Sequence, residues 1–290
     1  MTPPILEASP VLHGLRTRTL AIDGDGPSIL LLPGLTDSAD SWRPLLAELG
    51  TRGRRAVAVD LPGAGKAGMF AGGIRLARLD AFTVAFVAAC AGDEPAILAG
   101  NSLGGLLAMR AATRADHGLR AIAPIGTAGL APAPRLILLV RSLRAAYPWL
   151  RVAYRLPVPI PLVRSGAAWL YERRLSEGRA DPSLARHYAS HFEGVKSVRR
   201  FSAAMLALAD DVRADPLVPA DIRVPVLLIW GDRDRLTDVT GADAVLDVVK
   251  PSRLVVLEDC GHCPQVQRPA DVAELLSAPP KTFEHEEVAA

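Results

Sequence analysis

The sequence predicts an α/β protein with a mostly parallel, doubly wound sheet and a helical insertion, and three observations lead to this fold class. Short apolar runs that end in glycine or proline alternate with longer Ala/Leu-rich stretches, which is typical of strand–helix–strand units. This alternation stops near residue 130 and resumes near residue 216. Half of the 290 residues are apolar and 22% are charged, as in a folded globular chain.

Six strands are predicted, each from an apolar, β-branched run of strand length. They cover residues 28–32, 55–60, 96–100, 120–125, 225–230 and 253–257. Helical patterns predict five helices, at 41–49, 75–91, 103–115, 240–249 and 269–276. Because helical stretches separate most successive strands, the strands are expected to pair in parallel.

Residues 130–215 are predicted to form a helical insertion between two parts of one core, at 1–129 and 216–290. Prolines punctuate its Leu/Arg-rich segments, and residues 132–215 contain 14 Lys and Arg against 7 Asp and Glu. Two interpretations of this basic segment stay open. It is a solvated face, or it attracts anionic or amphiphilic substrates or a membrane surface. Beyond the last helix, Ala278 to Ala290 are expected to form a frayed tail.

The four tryptophans are expected to be packing residues, because large aromatic side chains dominate apolar cores. Trp42 and Trp230 fall in the predicted core, and Trp149 and Trp169 fall in the insertion. For Trp149, lining a ligand pocket is the alternative.

The charge balance argues against nucleic acid as a partner. Lys+Arg 33 against Asp+Glu 31 leaves a net charge of +2, and no basic run with interleaved aromatics occurs. The most lipid-like run, Leu136 to Val140, is far shorter than a membrane span, so stable membrane insertion is not expected. No secretory signal is readable, and three cysteines do not make a disulfide framework, which together favour a cytoplasmic protein.

A G-x-S-x-G motif lies between a predicted strand and a predicted helix, at Gly100 to Gly104. In this context the chain reverses sharply with Ser102 at the apex, which projects the hydroxyl above the sheet. Glycine is needed at 100 and 104 because the strand and helix backbones approach each other there. Ser102 is therefore a candidate nucleophile. The alternative is that it only caps the helix.

A nucleophilic serine needs a base, and the base needs a carboxylate that fixes its tautomer. Two later strands supply both. One runs into Gly231-Asp232-Arg233-Asp234, and the next runs into Gly261-His262. All three groups follow the carboxyl ends of strands, where open parallel sheets collect ligands. Asp232 and Asp234 are both candidates for the acid, and Asp232 could instead pair with a neighbouring arginine.

On these motifs the chain resembles the α/β-hydrolase superfamily over nearly all of its length outside the insertion. The resemblance rests on an elbow at 100–105, an oxyanion loop at 30–35 followed by Trp42, a turn at 60–65, and the acid and histidine loops. Three residues depart from the family pattern. Pro33 replaces a histidine, Lys66 stands where serine is common, and Gln267 replaces a frequent glutamate. The insertion falls where the family places its cap domain.

The resemblance implies a cofactor-free serine hydrolase with Ser102, Asp234 and His262 as its triad and no metal. The backbone N–H groups of Leu35 and Leu103 would bind the oxyanion. The implied substrate is a carboxylic ester with a small or medium apolar or amphiphilic acyl group, and the implied assembly is a monomer or homodimer. Two alternatives stay open, a carbon–carbon bond hydrolase of diketone-like ring-fission products and a low-turnover small-molecule receptor. Family members with an aspartate nucleophile are disfavoured because residue 102 is serine.

A second chemistry is weighed at Cys260-Gly-His-Cys263, since C-x-x-C is also a thiol–disulfide oxidoreductase motif. A thioredoxin-like domain would need further strands after the motif, and only 27 residues follow Cys263. For zinc the pair is incomplete, because a structural site needs four ligands. Redox and metal roles are therefore disfavoured.

Overall fold

The computed structural model describes residues 3–115, 118–130, 134–153, 155, 158–175 and 182–278. The predicted tail therefore lies outside the described residues from residue 279 onward. Eight strands form one sheet and two more form a small hairpin. The strands are β1 (Leu6–Ala8), β2 (Val11–Leu12), β3 (Leu15–Arg16), β4 (Thr19–Ile22), β5 (Asp25–Leu32), β6 (Arg54–Val59), β7 (Ala96–Asn101), β8 (Leu119–Ile125), β9 (Val226–Gly231) and β10 (Ser252–Leu257).

The main sheet has the strand order β1-β4-β6-β5-β7-β8-β9-β10. Strands β5 to β10 pair in parallel, whereas β4 pairs antiparallel with both β1 and β6. The mostly parallel α/β prediction is confirmed. All six predicted strands are present, each within three residues of its expected ends.

Ten α-helices accompany the sheet in the described ranges. They are α1 (Arg43–Thr51), α2 (Leu76–Cys90), α3 (Leu103–Ala112), α4 (Pro134–Ala153), α5 (Ile160–Leu170), α6 (Pro182–Ser190), α7 (Val195–Ala214), α8 (Asp243–Leu246), α9 (Pro264–Gln267) and α10 (Pro269–Ser277). Helices α4 to α7 all lie between β8 and β9, which is the segment that the sequence predicts to be helical.

Two apolar layers cover the two faces of the sheet, and β5 contributes to both. Leu30 and Leu32 pack in the layer with α2 and α3, whereas Ile29 and Leu31 pack in the layer with α1 and α10. Alternate residues of a strand point to opposite faces, so a strand covered on both sides is apolar at every position. This burial explains why the central strands read as continuous apolar runs.

Two parts of the predicted secondary structure are wrong or incomplete. Strands β1 to β4 are missing from the prediction because they are short and three of them carry exposed residues, so their pattern is weak. The ten-residue helix predicted at 240–249 is reduced to a 3₁₀ turn, Val239–Ala242, and the four-residue α8. Gly241 and the β-branched residues Val245, Val248 and Val249 explain the weak helix.

The tryptophans divide between core and surface. Trp42 and Trp230 are fully buried, as predicted, but Trp149 is 79% exposed and Trp169 is 54% exposed. The packing prediction is therefore wrong for the two tryptophans of the insertion, and at this exposure Trp149 faces solvent. No helix in the described ranges is long and apolar enough to cross a bilayer.

Candidate active site

Ser102 lies at the turn between β7 and α3 in a strained backbone conformation, with φ 54° and ψ −111°. A non-glycine residue at positive φ costs about 1–3 kcal/mol and persists only where the surroundings enforce it. Here the Ser102 N–H donates to Ile125 O at 2.8 Å. A Cβ on Gly100 would lie 2.3 Å from the Gly104 backbone, so this turn requires glycine at position 100. The sequence prediction of a sharp strand-to-helix turn agrees with this geometry.

His262 and Asp234 form a buried pair at the same edge of the sheet. The distance between His262 Nδ1 and Asp234 Oδ2 is 2.8 Å, and both side chains are at most 3% exposed. Asp234 Oδ1 also accepts the N–H groups of Leu236 and Thr237, and Thr237 Oγ1 donates to Asp234 Oδ2 at 2.7 Å. These bonds fix the carboxylate and, through it, the imidazole ring.

The environment of Asp234 keeps it ionised. Burial by itself raises the pKa of this carboxyl group, but the charge and hydrogen bond of His262 and the hydrogen bonds from Thr237 outweigh burial and hold the pKa below its usual value. A carboxylate that stays charged beside the ring favours the tautomer with hydrogen on Nδ1. That tautomer leaves Nε2 as the ring nitrogen that can accept a proton.

Asp232 has a different role from Asp234. Its Oδ1 accepts the N–H of Cys260 at 2.9 Å, which ties the loop after β9 to the loop after β10. A salt bridge between Asp232 and a neighbouring arginine is the alternative. The salt bridge of Arg233 is with Asp259 instead. Asp234, not Asp232, contacts the histidine.

Asn101 connects the serine turn to the histidine loop, and sequence reasoning missed this side chain. Its Nδ2 donates to His262 O at 2.8 Å and to Ile125 O at 3.2 Å. Within the described part of the chain, the Ser102 hydroxyl makes no hydrogen bond. The link from Ser102 Oγ to His262 is therefore a prediction, and catalytic hydrogen bonds of this kind tighten on substrate binding.

Leu35 and Leu103, the two predicted oxyanion residues, line one small cavity together with Gly34 and Thr36. Among the described hydrogen bonds, neither the Leu35 N–H nor the Leu103 N–H donates to a protein acceptor. Leu103 is the first residue of α3, where backbone N–H groups have no partner inside the helix. Two unused donors at one cavity could stabilise a developing negative charge.

The loop after Leu35 is held by the helical insertion. Thr36 has φ 65°, and its Oγ1 lies 2.5 Å from Leu35 O and 3.2 Å from the hydroxyl of Tyr188 on α6. Burial raises the pKa of Tyr188 to about 12, despite the hydrogen bond with Thr36, so the phenol stays neutral. No local pattern in the sequence predicts this contact, because its partners are 152 residues apart.

Buried ionisable groups surround this loop. Burial raises the pKa of Asp37 to about 6, although the Ser38 N–H, which donates to it at 2.8 Å, opposes the shift. Burial also raises the pKa of the Cys263 thiol well above its usual value, and Asp37 adds to this effect. A thiol held protonated is a poor nucleophile, so the redox role stays disfavoured. Cys260 is buried as well.

A buried ion-pair network supports the segment that follows the loop. Asp60 accepts Arg18 Nε at 2.8 Å, the Ala39 N–H at 2.7 Å and the Lys66 N–H at 2.7 Å. Arg18 also pairs with Asp40. Sequence reasoning assigned the turn at 60–65 by resemblance but did not predict its partner Arg18, which lies 42 residues earlier.

Replacing Asp60 with asparagine is expected to lower the free energy of unfolding by about 3 kcal/mol, because it leaves part of the Arg18 charge uncompensated in the interior. Urea unfolding followed by circular dichroism measures this change. Glu48→Gln is the matched control, since Glu48 pairs with Arg52 at a partly exposed position and such pairs contribute about 1 kcal/mol or less. Equal losses in both variants would contradict a structural role for the network.

The groups brought together at the candidate site are protein side chains and backbone N–H groups. In the described ranges, no group of three or more His, Cys, Asp or Glu is placed to hold a metal ion. The candidate site thus consists of the strained Ser102, the His262–Asp234 pair and two backbone donors. This set of groups can perform nucleophilic acyl transfer.

The chain is similar to known proteins in sequence and structure. The sequence model of the alpha/beta hydrolase family matches residues 29–275. A segment of 55 residues is 42% identical to monoacylglycerol lipase ABHD6 of Mus musculus, but that match covers 19% of this chain and 16% of the mouse protein. The chain thus aligns with only a small part of that relative's length.

Solved structures of other proteins are similar over almost the whole chain, as two examples show. One is a bacterial membrane phospholipase A, with a TM-score of 0.73 and 26% identity over 96% of this chain and 85% of the other. The second is 2-hydroxy-6-oxo-6-phenylhexa-2,4-dienoate hydrolase from Rhodococcus sp. strain RHA1. It has a TM-score of 0.73 and 22% identity over 95% of this chain and 98% of the other, a likeness of fold alone.

Proposed function

Since the chain belongs to the alpha/beta hydrolase family, we propose that it is a cofactor-free serine hydrolase that cleaves a carboxylic ester with a small or medium apolar acyl group. The observation that carries this proposal is the buried His262–Asp234 pair at 2.8 Å on the sheet edge where Ser102 occupies its strained turn. A phospholipase among the structural neighbours and a lipase among the sequence relatives are in keeping with ester chemistry.

In the first half-reaction Ser102 Oγ attacks the ester carbonyl while His262 Nε2 takes the hydroxyl proton. The new Oγ–C bond gives a tetrahedral intermediate whose oxyanion lies between the N–H groups of Leu35 and Leu103. One such donor contributes about 3 to 4 kcal/mol in comparable sites. The intermediate collapses when the C–O bond to the alcohol breaks and His262 returns the proton to the leaving alkoxide.

In the second half-reaction water replaces the alcohol. His262 takes a proton from a water molecule as the water oxygen attacks the acyl-enzyme carbonyl. His262 then gives this proton to Ser102 Oγ as the bond between Oγ and the acyl carbon breaks and the carboxylic acid leaves. Asp234 stabilises the imidazolium in both halves. Its low pKa suits this role, because the carboxylate remains charged while the ring gains and loses a proton.

Residues 130–215 act as a cap over the site in this proposal. Tyr188 on α6 contacts Thr36 beside the oxyanion donor Leu35. Ala167 on α5 and Tyr188 also pack in one buried cluster with Cys263, the residue after His262. The cap therefore contacts both the oxyanion loop and the histidine loop, and an acyl group bound between them would be shielded from water.

Tyr188→Phe is expected to lower kcat by about two- to tenfold with little change in KM, because it removes one hydrogen bond that positions the oxyanion loop. Steady-state kinetics on one ester measures both constants. Tyr147→Phe is the control, since Tyr147 is a partly exposed tyrosine on α4 of the same insertion. A kcat for Tyr188→Phe that matches the control would rule out this positioning role.

Initial rates on p-nitrophenyl esters, from acetate to long acyl chains, test the proposed function. Sustained turnover with a preferred chain length is expected, and that length sizes the acyl pocket. No turnover on any ester would overturn the esterase proposal.

A carbon–carbon hydrolase of ring-fission products is the second candidate, which the Gly-Asn-Ser elbow at 100–102 favours by resemblance. Tight binding with near-single turnover would instead indicate a receptor.

A further inference from the structure

The exposed surfaces of α4 and α5 are both unusually apolar for helices that face water. Of the sixteen large apolar side chains that are exposed in the described ranges, ten lie between residues 137 and 170. The most exposed are Leu138 (65%), Trp149 (79%), Val152 (64%), Leu162 (65%) and Trp169 (54%). We call these five side chains the insertion face. Scattered apolar residues are normal on a protein surface, but a concentration of this kind marks an interaction site.

Four apolar exposed residues of α4 share one side of the helix. Leu138, Ala145, Trp149 and Val152 are all exposed, at spacings of seven, four and three residues, so they share one side of the helix. A helix of a soluble domain usually turns its apolar stripe inward. On α4 an apolar stripe faces solvent, which is the arrangement of a helix that lies on another surface.

Positive charge accompanies the apolar residues. Residues 134–173 contain seven arginines and one acidic residue, Glu172. Arg141 and Arg155 are both exposed. Two copies of this surface would bring like charges together, which argues against self-association as its purpose. Arginine and tryptophan beside aliphatic side chains are the composition of surfaces that rest in the headgroup region of anionic membranes.

Helix α5 joins this surface to the candidate site. Its inner side contributes Ala167 to the buried cluster with Tyr188 and Cys263, while Leu162 and Trp169 on the same helix are exposed. The exposed apolar residues of α5 are thus one helix thickness away from the histidine loop.

We propose that the insertion face docks the protein onto the surface of an anionic phospholipid bilayer, with Trp149 and Trp169 in the interface and the exposed Arg141 and Arg155 on the headgroup phosphates. Docking is peripheral and spans no membrane. The amphipathic surface supplies the apolar contact, and the arginine excess supplies the preference for anionic lipid. This proposal concerns binding alone, so it does not depend on the bond that the enzyme cleaves.

Tryptophan fluorescence of the full chain carrying Ser102→Ala tests the proposal without hydrolysis of the vesicles. Trp42 and Trp230 are fully buried, so a change in emission reports on Trp149 and Trp169. Vesicles of phosphatidylcholine with about 30% phosphatidylglycerol are expected to shift the emission to the blue and to protect it from acrylamide. Pure phosphatidylcholine is expected to bind about tenfold or more weakly, and added salt to weaken the anionic binding.

Matched variants separate the insertion face from the rest of the surface. Leu138→Asp is expected to weaken vesicle binding about tenfold or more, and Arg141→Gln about fivefold. Val248→Asp is the control, because Val248 is 52% exposed on the core and outside the insertion. It is expected to bind as the parent does. Thermal unfolding of each variant checks that the fold is kept.

Several outcomes would overturn the proposal. One is the absence of any blue shift on anionic vesicles, and another is equal binding by Leu138→Asp and Val248→Asp. A blue shift that follows protein concentration without lipid, together with dimers in sedimentation equilibrium, would show instead that a second copy covers this surface. Because binding is measured in an inactive variant, none of these outcomes bears on the esterase proposal.

Discussion

Replacing Ser102 with alanine is expected to lower kcat on any ester substrate by about 10⁵-fold to 10⁶-fold, while the protein stays folded. The substitution removes the attacking oxygen but keeps the Cβ atom, so the strained backbone at φ 54° is unchanged. Substrate binding is expected to persist, because the oxyanion donors and the acyl pocket are untouched. Steady-state rates and equilibrium binding of a slowly hydrolysed ester measure the two effects separately.

A second substitution at the same residue tests the strain. Ser102→Gly is expected to be as inactive as Ser102→Ala, but its free energy of unfolding is expected to be about 1 kcal/mol higher than that of Ser102→Ala. Glycine adopts positive φ without steric cost, and its greater freedom in the unfolded chain cancels only part of this gain. Ser277→Ala, near the end of α10, is the control for the loss of a serine hydroxyl. Retention of most activity in Ser102→Ala would exclude Ser102 as the nucleophile.

Replacing Asp234 with asparagine is expected to lower kcat by about 10⁴-fold, because the amide no longer stabilises the imidazolium and can reverse the hydrogen bond to Nδ1. The pKa of Asp234 lies below its usual value, so the wild-type carboxylate is ionised from about pH 6 to pH 8. The ratio of wild-type to variant kcat is therefore expected to be similar at these two pH values. Rates across the range measure it.

Asp232→Asn is the matched control for this prediction. Asp232 lies two residues away and accepts a backbone N–H of the histidine loop, which asparagine can also accept through its Oδ1. A loss of about tenfold or less is expected for this variant. Equal losses for Asp232→Asn and Asp234→Asn would contradict the assignment of Asp234 as the partner of His262.

Much of the fold could be predicted because the central strands are buried on both faces. Each of them is a largely apolar run that ends near glycine or proline. This pattern can be recognised in the sequence without knowing which strands and helices the run contacts. The short N-terminal strands β1 to β4 and the short α8 could not be predicted in the same way. Their sequences carry weak patterns, and for β1 and β4 the antiparallel pairing at one side of the main sheet decides the structure.

Some residues of the candidate site could likewise be predicted from the sequence, and others could not. A local pattern, an apolar strand that ends near glycine, comes just before each of Ser102, Asp234 and His262. The sequence therefore predicts where each of these residues lies on the sheet. Asn101 and Tyr188 have no such signal. Asn101 donates to a backbone carbonyl that is 161 residues away in the sequence, and Tyr188 contacts a hydroxyl that is 152 residues away. Such contacts form only when the chain has folded, so no local pattern predicts them.

The insertion shows a different reason for a wrong prediction. Large aromatic residues are expected in the core because burial of their area stabilises a fold. Trp149 and Trp169 are exposed instead, on helices that also carry an excess of arginine. Of the two interpretations left open for this basic segment, the apolar character of the exposed side chains favours a surface that binds amphiphiles or a membrane over a merely solvated face.

Labelling with a fluorophosphonate, followed by mass spectrometry of the intact chain and of its peptides, tests the central claim most directly. The reagent forms a phosphorus–oxygen bond with an activated serine and releases fluoride, so it reports nucleophilicity without any choice of substrate. One adduct on the peptide that contains Ser102 is predicted, with no adduct in Ser102→Ala and slower labelling in Asp234→Asn. An unlabelled wild-type protein, or an adduct that persists in Ser102→Ala, would contradict the account.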